Sequence, residues 1–163
     1  MALTDYHAVA GAESIQVFLG GDPQRAYQAE LLGASLCDDL ALIQLQGEGF
    51  PYLSWSLTRL ERGVNLYIAG YPQQGEAVLL SKGMLTSLET QDLPWASLPS
   101  VLVYDALAAP GALGAALIDL NGALLGMHLG ELTGERRSIG VPAASLQAFV
   151  EQVLSKGAPQ DWG

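Results

Sequence analysis

A single segment of the chain has the periodicity of an α-helix, and this rarity constrains the fold more than any other feature. Apolar side chains recur there at helical spacing and form one stripe, made of Leu146, Phe149, Val150, Val153 and Leu154. A lysine and a glycine, the pair that typically ends a helix, follow at Lys156 and Gly157. The rest of the chain is divided into short strand-like runs, so we predict an all-β barrel or sandwich with a docked C-terminal helix.

The predicted strands are short runs of β-branched and apolar residues bounded by glycine, proline or aspartate. They cover 15–19, 27–32, 40–45, 65–70, 77–80, 84–88, 100–104, 115–120, 123–128 and 138–141. Gly83 lies between two of these runs and indicates a bulge or bend. Asn121 and Gly122 both tolerate positive φ, which predicts a type I′ hairpin turn. Two prolines lie between 91 and 100, where we expect a loop.

Composition excludes several classes of function. The chain has 163 residues and a formal net charge of -10, so an acidic surface disfavours a nucleic-acid partner. The longest uncharged apolar stretch, 106–118, is shorter than the about 20 residues that cross a bilayer. The chain has two histidines, His7 and His128, and one cysteine, Cys37, and these are too few to predict a metal site. No glycine-rich phosphate loop precedes a helix, and we expect no cofactor.

Two polar motifs near the amino end resemble those of the HtrA/Deg serine proteases, which have a trypsin-like fold. Residues 3–12, Leu-Thr-Asp-Tyr-His-Ala-Val-Ala-Gly-Ala, resemble the family's Leu-Thr-Asn-x-His-Val-Val-x-Gly-Ala. Residues 38–43, Asp-Asp-Leu-Ala-Leu-Ile, resemble its Thr-Asp-Leu-Ala-Val-Leu. The resemblance implies that His7 is the base and Asp39 the acid of a catalytic triad. Further matches at 60–72, 82–88 and 139–142 occur in the family's order, so the resemblance extends from about residue 3 to about residue 156.

The segment 105–117 resembles the family's nucleophile loop but lacks its serine. The family reads Asp-Ala-Ala-Ile-Asn-Pro-Gly-Asn-Ser-Gly-Gly-Pro-Leu, and this chain reads Asp-Ala-Leu-Ala-Ala-Pro-Gly-Ala-Leu-Gly-Ala-Ala-Leu. This match places Leu113 at the serine, and Gly111, Ala112 and Gly114 in the oxyanion loop. Leucine has no hydroxyl to attack a carbonyl, so we expect an inactive site. The backbone N–H groups of Gly111 and Leu113 are expected to remain as a partial anion nest.

The resemblance also implies an architecture: two packed barrels of the six-stranded type, the first incomplete, followed by the C-terminal helix. We expect one domain over 1–157, divided into the first barrel at 1–72, the second at 73–142 and the helix at 143–157, with a tail at 158–163. Two strands precede the histidine in the family, and because His7 stands so early we expect them to be missing. A protein partner or an extended peptide is therefore expected to supply or cover them by strand addition.

Three functions remain open from the sequence. The first is an inactive protease-like subunit that binds a protein or an extended peptide, or helps to assemble a complex. The second is a serine peptidase that is active only when a partner chain completes the barrel. The third is a purely structural subunit. The sequence shows no signal peptide, which suits the cytoplasm, whereas the family often works in the cell envelope. His128 is expected to be structural or pocket-lining, and Ser35, Ser138 and Ser145 match no nucleophile position.

Overall fold

The computed structural model describes residues 1–22, 24–73, 77–93, 96–132 and 136–156. The described strands are β1 (Ala2–Asp5), β2 (Ile15–Phe18), β3 (Ala26–Ser35), β4 (Leu40–Leu45), β5 (Asn65–Gly70), β6 (Leu79–Leu93), β7 (Ala96–Tyr104), β8 (Ala116–Ile118), β9 (Leu124–Glu131) and β10 (Ser138–Pro142). One helix, α1, extends over Ala143–Lys156, and short 3₁₀ turns lie at Tyr6–Ala8 and Leu19–Gly21. The prediction of an all-β fold with a C-terminal helix is confirmed.

Two antiparallel sheets make up the molecule. The first has four strands in the order β1-β4-β3-β2 and forms a half-barrel, whereas the second is a closed barrel of β10-β7-β6-β5-β8-β9. β5 belongs to the closed barrel because Ile68 pairs with Ser81 on one side and with Leu117 on the other. The predicted boundary at residue 72 is therefore wrong, because it places β5 in the first barrel, whereas β5 belongs to the second. The segment that connects the two sheets lies between β4 and β5.

An apolar core joins both sheets and the helix. Leu40 and Leu42 of β4 pack in one buried cluster with Val101 of β7 and with Leu146 and Phe149 of α1. A second cluster fills the closed barrel and includes Leu66 and Ile68 of β5. Because strands from both sheets share the first cluster, burial of apolar surface holds the two sheets against each other. The ends of β1, β4 and β9 thereby acquire a fixed geometry around one cleft.

The β6–β7 hairpin is longer than the sequence pattern predicts. The loop expected over 91–100 is wrong, since β6 continues to Leu93 and β7 begins at Ala96, and these two residues pair. Pro99 lies where the register shifts between the pairs Glu89–Val101 and Gln91–Leu98. A break in the ladder tolerates a residue that has no N–H to donate, which is why the proline does not end the strand.

Gly83 marks a close approach of two backbones and not a bulge. The predicted runs 77–80 and 84–88 are joined through it into β6, and its pairing with Leu66 keeps an unbroken register. A Cβ built on Gly83 would lie 2.5 Å from the backbone nitrogen of Ala106, closer than real Cβ contacts come. A glycine is therefore required here, because the backbone of Ala106 leaves no room for a side chain. Ala106 belongs to the segment predicted as the nucleophile loop.

The turn between β8 and β9 also differs from its prediction. Gly122 donates to the carbonyl oxygen of Asp119 at 3.0 Å and has φ +78°, but Asn121 has no positive φ, so the turn is not type I′. Asp119 organises it: its carboxylate accepts from the backbone N–H groups of Asn121 and Ala123 at 2.8 and 3.0 Å, and from Ser56 and Thr58. Burial acts to raise the pKa of Asp119, but these hydrogen bonds prevail and lower it.

Candidate active-site cleft

A histidine and an aspartate from the half-barrel form a hydrogen-bonded pair. β1 ends at Asp5, and the following 3₁₀ turn presents His7. Asp39 lies in the turn between β3 and β4 with φ +52°, a left-handed conformation that aspartate tolerates better than most residues. Its Oδ1 accepts the His7 backbone N–H at 2.9 Å, and its Oδ2 lies 2.6 Å from His7 Nδ1. The pair fixes the ring and leaves Nε2 as its free nitrogen.

Leu113 lies in the same cleft as this pair. The cleft has a volume of about 530 Å³ and is lined by His7, Leu36, Asp39, Leu113, Leu129, Gly130 and Glu131. The Leu113 side chain is 48% exposed, and its Cδ2 lies 3.8 Å from the place that a Cβ on Gly130 would take. The fold thus brings together all three positions that the sequence resemblance assigns to a triad, and the third carries an aliphatic side chain.

The loop before Leu113 leaves two backbone donors unused. The N–H groups of Ala112, Gly114 and Ala115 bind the carbonyl oxygens of Ala109, His128 and Ala112 at 3.0, 3.0 and 3.1 Å. Within the described ranges, the N–H groups of Gly111 and Leu113 donate no backbone hydrogen bond. Gly111 has φ +87°, and a Cβ there would lie 2.9 Å from the backbone nitrogen of Gln73. These are the two N–H groups that the sequence resemblance assigns to an anion nest.

The sequence is similar to those of known peptidases. Residues 1–127 match the family model of the trypsin-like peptidase domain. The chain belongs to this family. Its sequence is 27% identical over 160 residues to the "Probable periplasmic serine endoprotease DegP-like" protein of Chlamydia trachomatis, covering 95% of this chain and 32% of that protein. It is 24% identical over 166 residues to "Serine protease Do-like HtrB" of Bacillus subtilis, covering 95% and 36%. The trypsin-like domain described here is therefore of the HtrA/DegP type and spans about a third of these relatives.

Solved structures agree on the fold. The active form of the Rv3671c protease from M. tuberculosis superposes with a TM-score of 0.83 at 21% identity, covering 99% of this chain and 71% of that one. The HtrA-type protease AlgW with a decapeptide superposes with a TM-score of 0.82 at 22% identity, covering 94% and 48%. At sequence identities this low, the similarity shows only that the backbone folds are alike. The two sheets and the C-terminal helix of this domain therefore have the trypsin-like fold of these structures.

Asp5 is a buried carboxyl that the sequence analysis overlooked. Asp5 is only 3% exposed to solvent, and its Oδ1 has no hydrogen-bond partner among the described residues. Its Oδ2 lies 3.0 Å from the place a Cβ on Gly114 would take, so the carboxyl abuts the segment predicted as the nucleophile loop. Burial, and to a smaller extent the nearby Asp39, raise the pKa of Asp5, and His7 opposes both, so that the pKa lies at about 6 instead of 3.8. The available signal was an aspartate where the family motif has asparagine.

His128 lies inside the barrel and does not line the cleft. Its Nδ1 is 2.6 Å from the hydroxyl of Tyr104, which donates its own proton to the carbonyl oxygen of Ile139 at 3.1 Å. His128 Nδ1–H is therefore the donor to Tyr104. Burial lowers the pKa of His128 to about 4, so the ring is neutral near neutral pH. Its backbone also exchanges hydrogen bonds with Gly114 and Ala115, which anchors the segment predicted as the nucleophile loop to β9.

Other candidate groups do not join the cleft. Ser35 donates to Asp38 at 2.6 Å, and Ser138 is buried and donates to the carbonyl oxygen of Ala106 at 2.7 Å. Cys37 is exposed. In the part of the chain that the structure describes, no three or more histidine, cysteine, aspartate or glutamate side chains are arranged to bind a metal ion. In the same part, no helix combines the length and the apolar character needed to cross a bilayer.

Proposed function

We propose that this trypsin-like domain is catalytically inactive and serves as a protein- or peptide-binding or assembly subunit. The observation that supports this most directly is the set of residues that line the cleft with the His7–Asp39 pair. Among the described residues this lining contains a histidine, leucines, a glycine and two carboxylates, but no serine, threonine or cysteine. A positioned imidazole and an anion nest can bind a carbonyl group, but acyl transfer also needs a nucleophile to form the new bond.

Peptide binding is the role that the remaining cleft geometry favours. Leu36 and Leu113 are each 48% exposed, which gives the cleft an apolar wall. Apart from its two chain neighbours, the one described residue within 4 Å of the place a Cβ on Gly130 would take is Leu113, so a ligand can come close to this backbone. The free N–H groups of Gly111 and Leu113 supply donors for a carbonyl oxygen. Extended peptides are commonly held by this combination of backbone hydrogen bonds and side-chain pockets.

A second candidate is a serine-type peptidase that becomes active when a partner chain completes the half-barrel. β1 lies at the edge of its sheet, with β4 as its neighbour among the described strands. Beside it is an apolar groove of about 450 Å³, whose lining includes Leu3, Tyr52, Leu53 and Trp55. Open strand edges accept additional strands. The names of the relatives, which describe serine proteases, also favour this candidate, although a partner would have to provide the nucleophile.

Hydrolysis and binding assays on one preparation separate these two candidates. Casein and fluorogenic peptides should show no turnover above that of the His7→Ala variant, which controls for contaminating proteases. In the same preparation with isotope-labelled histidine, extended peptides should shift the ring signals of His7 and leave those of buried His128 unchanged. Turnover that requires His7 would refute inactivity. Turnover only after a partner is added would favour the second candidate.

A further inference from the structure

We infer that the cleft selects an extended peptide in which an apolar residue neighbours a lysine or arginine, and that Glu131 recognises the cation. This inference rests on the peptide-binding role proposed above and specifies its ligand. It comes from the charges of the cleft, where a neutral wall of leucines ends at a carboxylate. Two carboxylates line this cleft, Asp39 and Glu131, and they differ in whether they are already engaged.

Both carboxylate oxygens of Asp39 are engaged by His7. One of its oxygens accepts the backbone N–H of His7 and the other lies 2.6 Å from the ring. Glu131, by contrast, is exposed and makes no hydrogen bond or ion pair with any residue of the described ranges. It ends β9 directly after Gly130, the residue whose backbone is open to the cleft. A peptide side chain that extends past Gly130 therefore meets an unpaired negative charge.

The rest of the cleft fits the stem of a cationic side chain. Lysine and arginine carry apolar methylene groups that pack on apolar surface while the charged head stays in water. The exposed Leu36 and Leu113 provide that surface in the cleft that Glu131 also lines. The net charge of -10 adds a long-range field that attracts cationic segments and repels acidic ones. An acidic side chain in the same place would lie against Glu131, and this contact is repulsive.

Matched peptides test the inference directly. Acetylated and amidated peptides of the form Gly-Ser-Gly-Leu-X-Gly-Ser-Gly, and the same peptides with Leu and X exchanged, differ only at X, which is lysine, glutamine or glutamate. In one of the two orders we expect lysine to bind about tenfold more tightly than glutamate at low salt, with glutamine between them. About 0.5 M salt should shrink this ratio. Glu131→Gln should reduce it to about twofold, and Glu151→Gln, which removes an exposed carboxylate from α1, should leave it unchanged.

The ring signals of His7 separate the failure of this inference from the failure of the proposed function. If all peptides shift the His7 signals with equal affinities, the cleft binds peptides and the recognition of a cation is overturned. A preference for lysine that survives Glu131→Gln would show that another group carries it and would also overturn the assignment. If no peptide at about millimolar concentration shifts His7, the peptide-binding role itself fails.

Discussion

Asp5→Asn is expected to raise the free energy of unfolding by about 2 kcal/mol at about pH 8 and to change it little at about pH 4. The carboxyl is buried beside Asp39, and its pKa is raised from 3.8 to about 6. Near pH 5 the unfolded chain has already released this proton and the folded chain still holds it. The cost of ionising Asp5 in the fold therefore grows as the pH rises above about 4 and is complete above about 6. Asparagine has nearly the same shape and carries no charge.

Urea unfolding at several pH values measures this effect. Glu48→Gln, which removes an exposed carboxylate elsewhere, is the control and should change stability by less than about 0.5 kcal/mol at every pH. The difference between Asp5→Asn and the wild type should increase between about pH 4 and pH 7 and then level off. A variant that is less stable than the wild type at pH 8 would contradict the account, because it would mean that the charged carboxyl is well solvated or paired in the fold.

Tyr104→Phe is expected to lower the free energy of unfolding by about 2 kcal/mol near neutral pH. The Tyr104 hydroxyl joins His128 Nδ1–H to the carbonyl oxygen of Ile139, and both Tyr104 and His128 are buried. Removing the hydroxyl leaves a buried donor and a buried acceptor, and an unsatisfied buried polar group costs more than a hydrogen bond contributes.

The control for this prediction is Tyr27→Phe. The Tyr27 ring packs edge-on against Phe50 at a centroid distance of 5.0 Å, and among the described residues its hydroxyl has no hydrogen-bond partner. Thermal or urea unfolding of the two variants should show a loss for Tyr104→Phe and little change for Tyr27→Phe. Equal stabilities of both variants would contradict the account, because they would mean that a water molecule replaces the Tyr104 hydroxyl as the hydrogen-bond partner of His128.

His128 and Asp5 affect acid stability in opposite directions. The pKa of buried His128 is lowered to about 4, so its contribution to stability is complete above about pH 6.5 and is lost as the pH falls towards 4. Protonation of Asp5 favours the folded state over nearly the same range. The two contributions offset each other in the wild type. In Asp5→Asn only that of His128 remains, so the stability of this variant should fall more steeply towards pH 4.

The sequence motifs predict which residues meet in the cleft better than the strand pattern predicts the strand connections. His7, Asp39 and Leu113 lie in one cleft, as their motifs imply, because each motif is local and its order along the chain fixes its place in the fold. The strand 65–70 was found, but its membership in the closed barrel depends on pairing with residues distant in sequence. Propensity alone does not contain that information, since a strand with an apolar pattern fits either sheet.

Two local errors have physical causes. Prolines between 91 and 100 suggested a loop, but cross-strand pairing extends the hairpin around Pro99 by shifting its register. Asn121-Gly122 suggested a type I′ turn, but the Asp119 carboxylate binds two N–H groups of the turn and favours another geometry. The burial of Asp5 was missed for a related reason, because an aspartate in a polar motif reads as a surface residue until the packed loop covers it.

Labelling with a fluorophosphonate probe tests the central claim most directly. The probe should leave the wild-type domain and Leu113→Ala unlabelled and should label Leu113→Ser, because only the serine variant offers a hydroxyl beside the free His7 Nε2. That pattern would show that the cleft keeps the geometry of a serine protease and that this chain lacks its nucleophile. Labelling of the wild type that persists in Leu113→Ala would reveal a nucleophile elsewhere in the domain and would contradict the account.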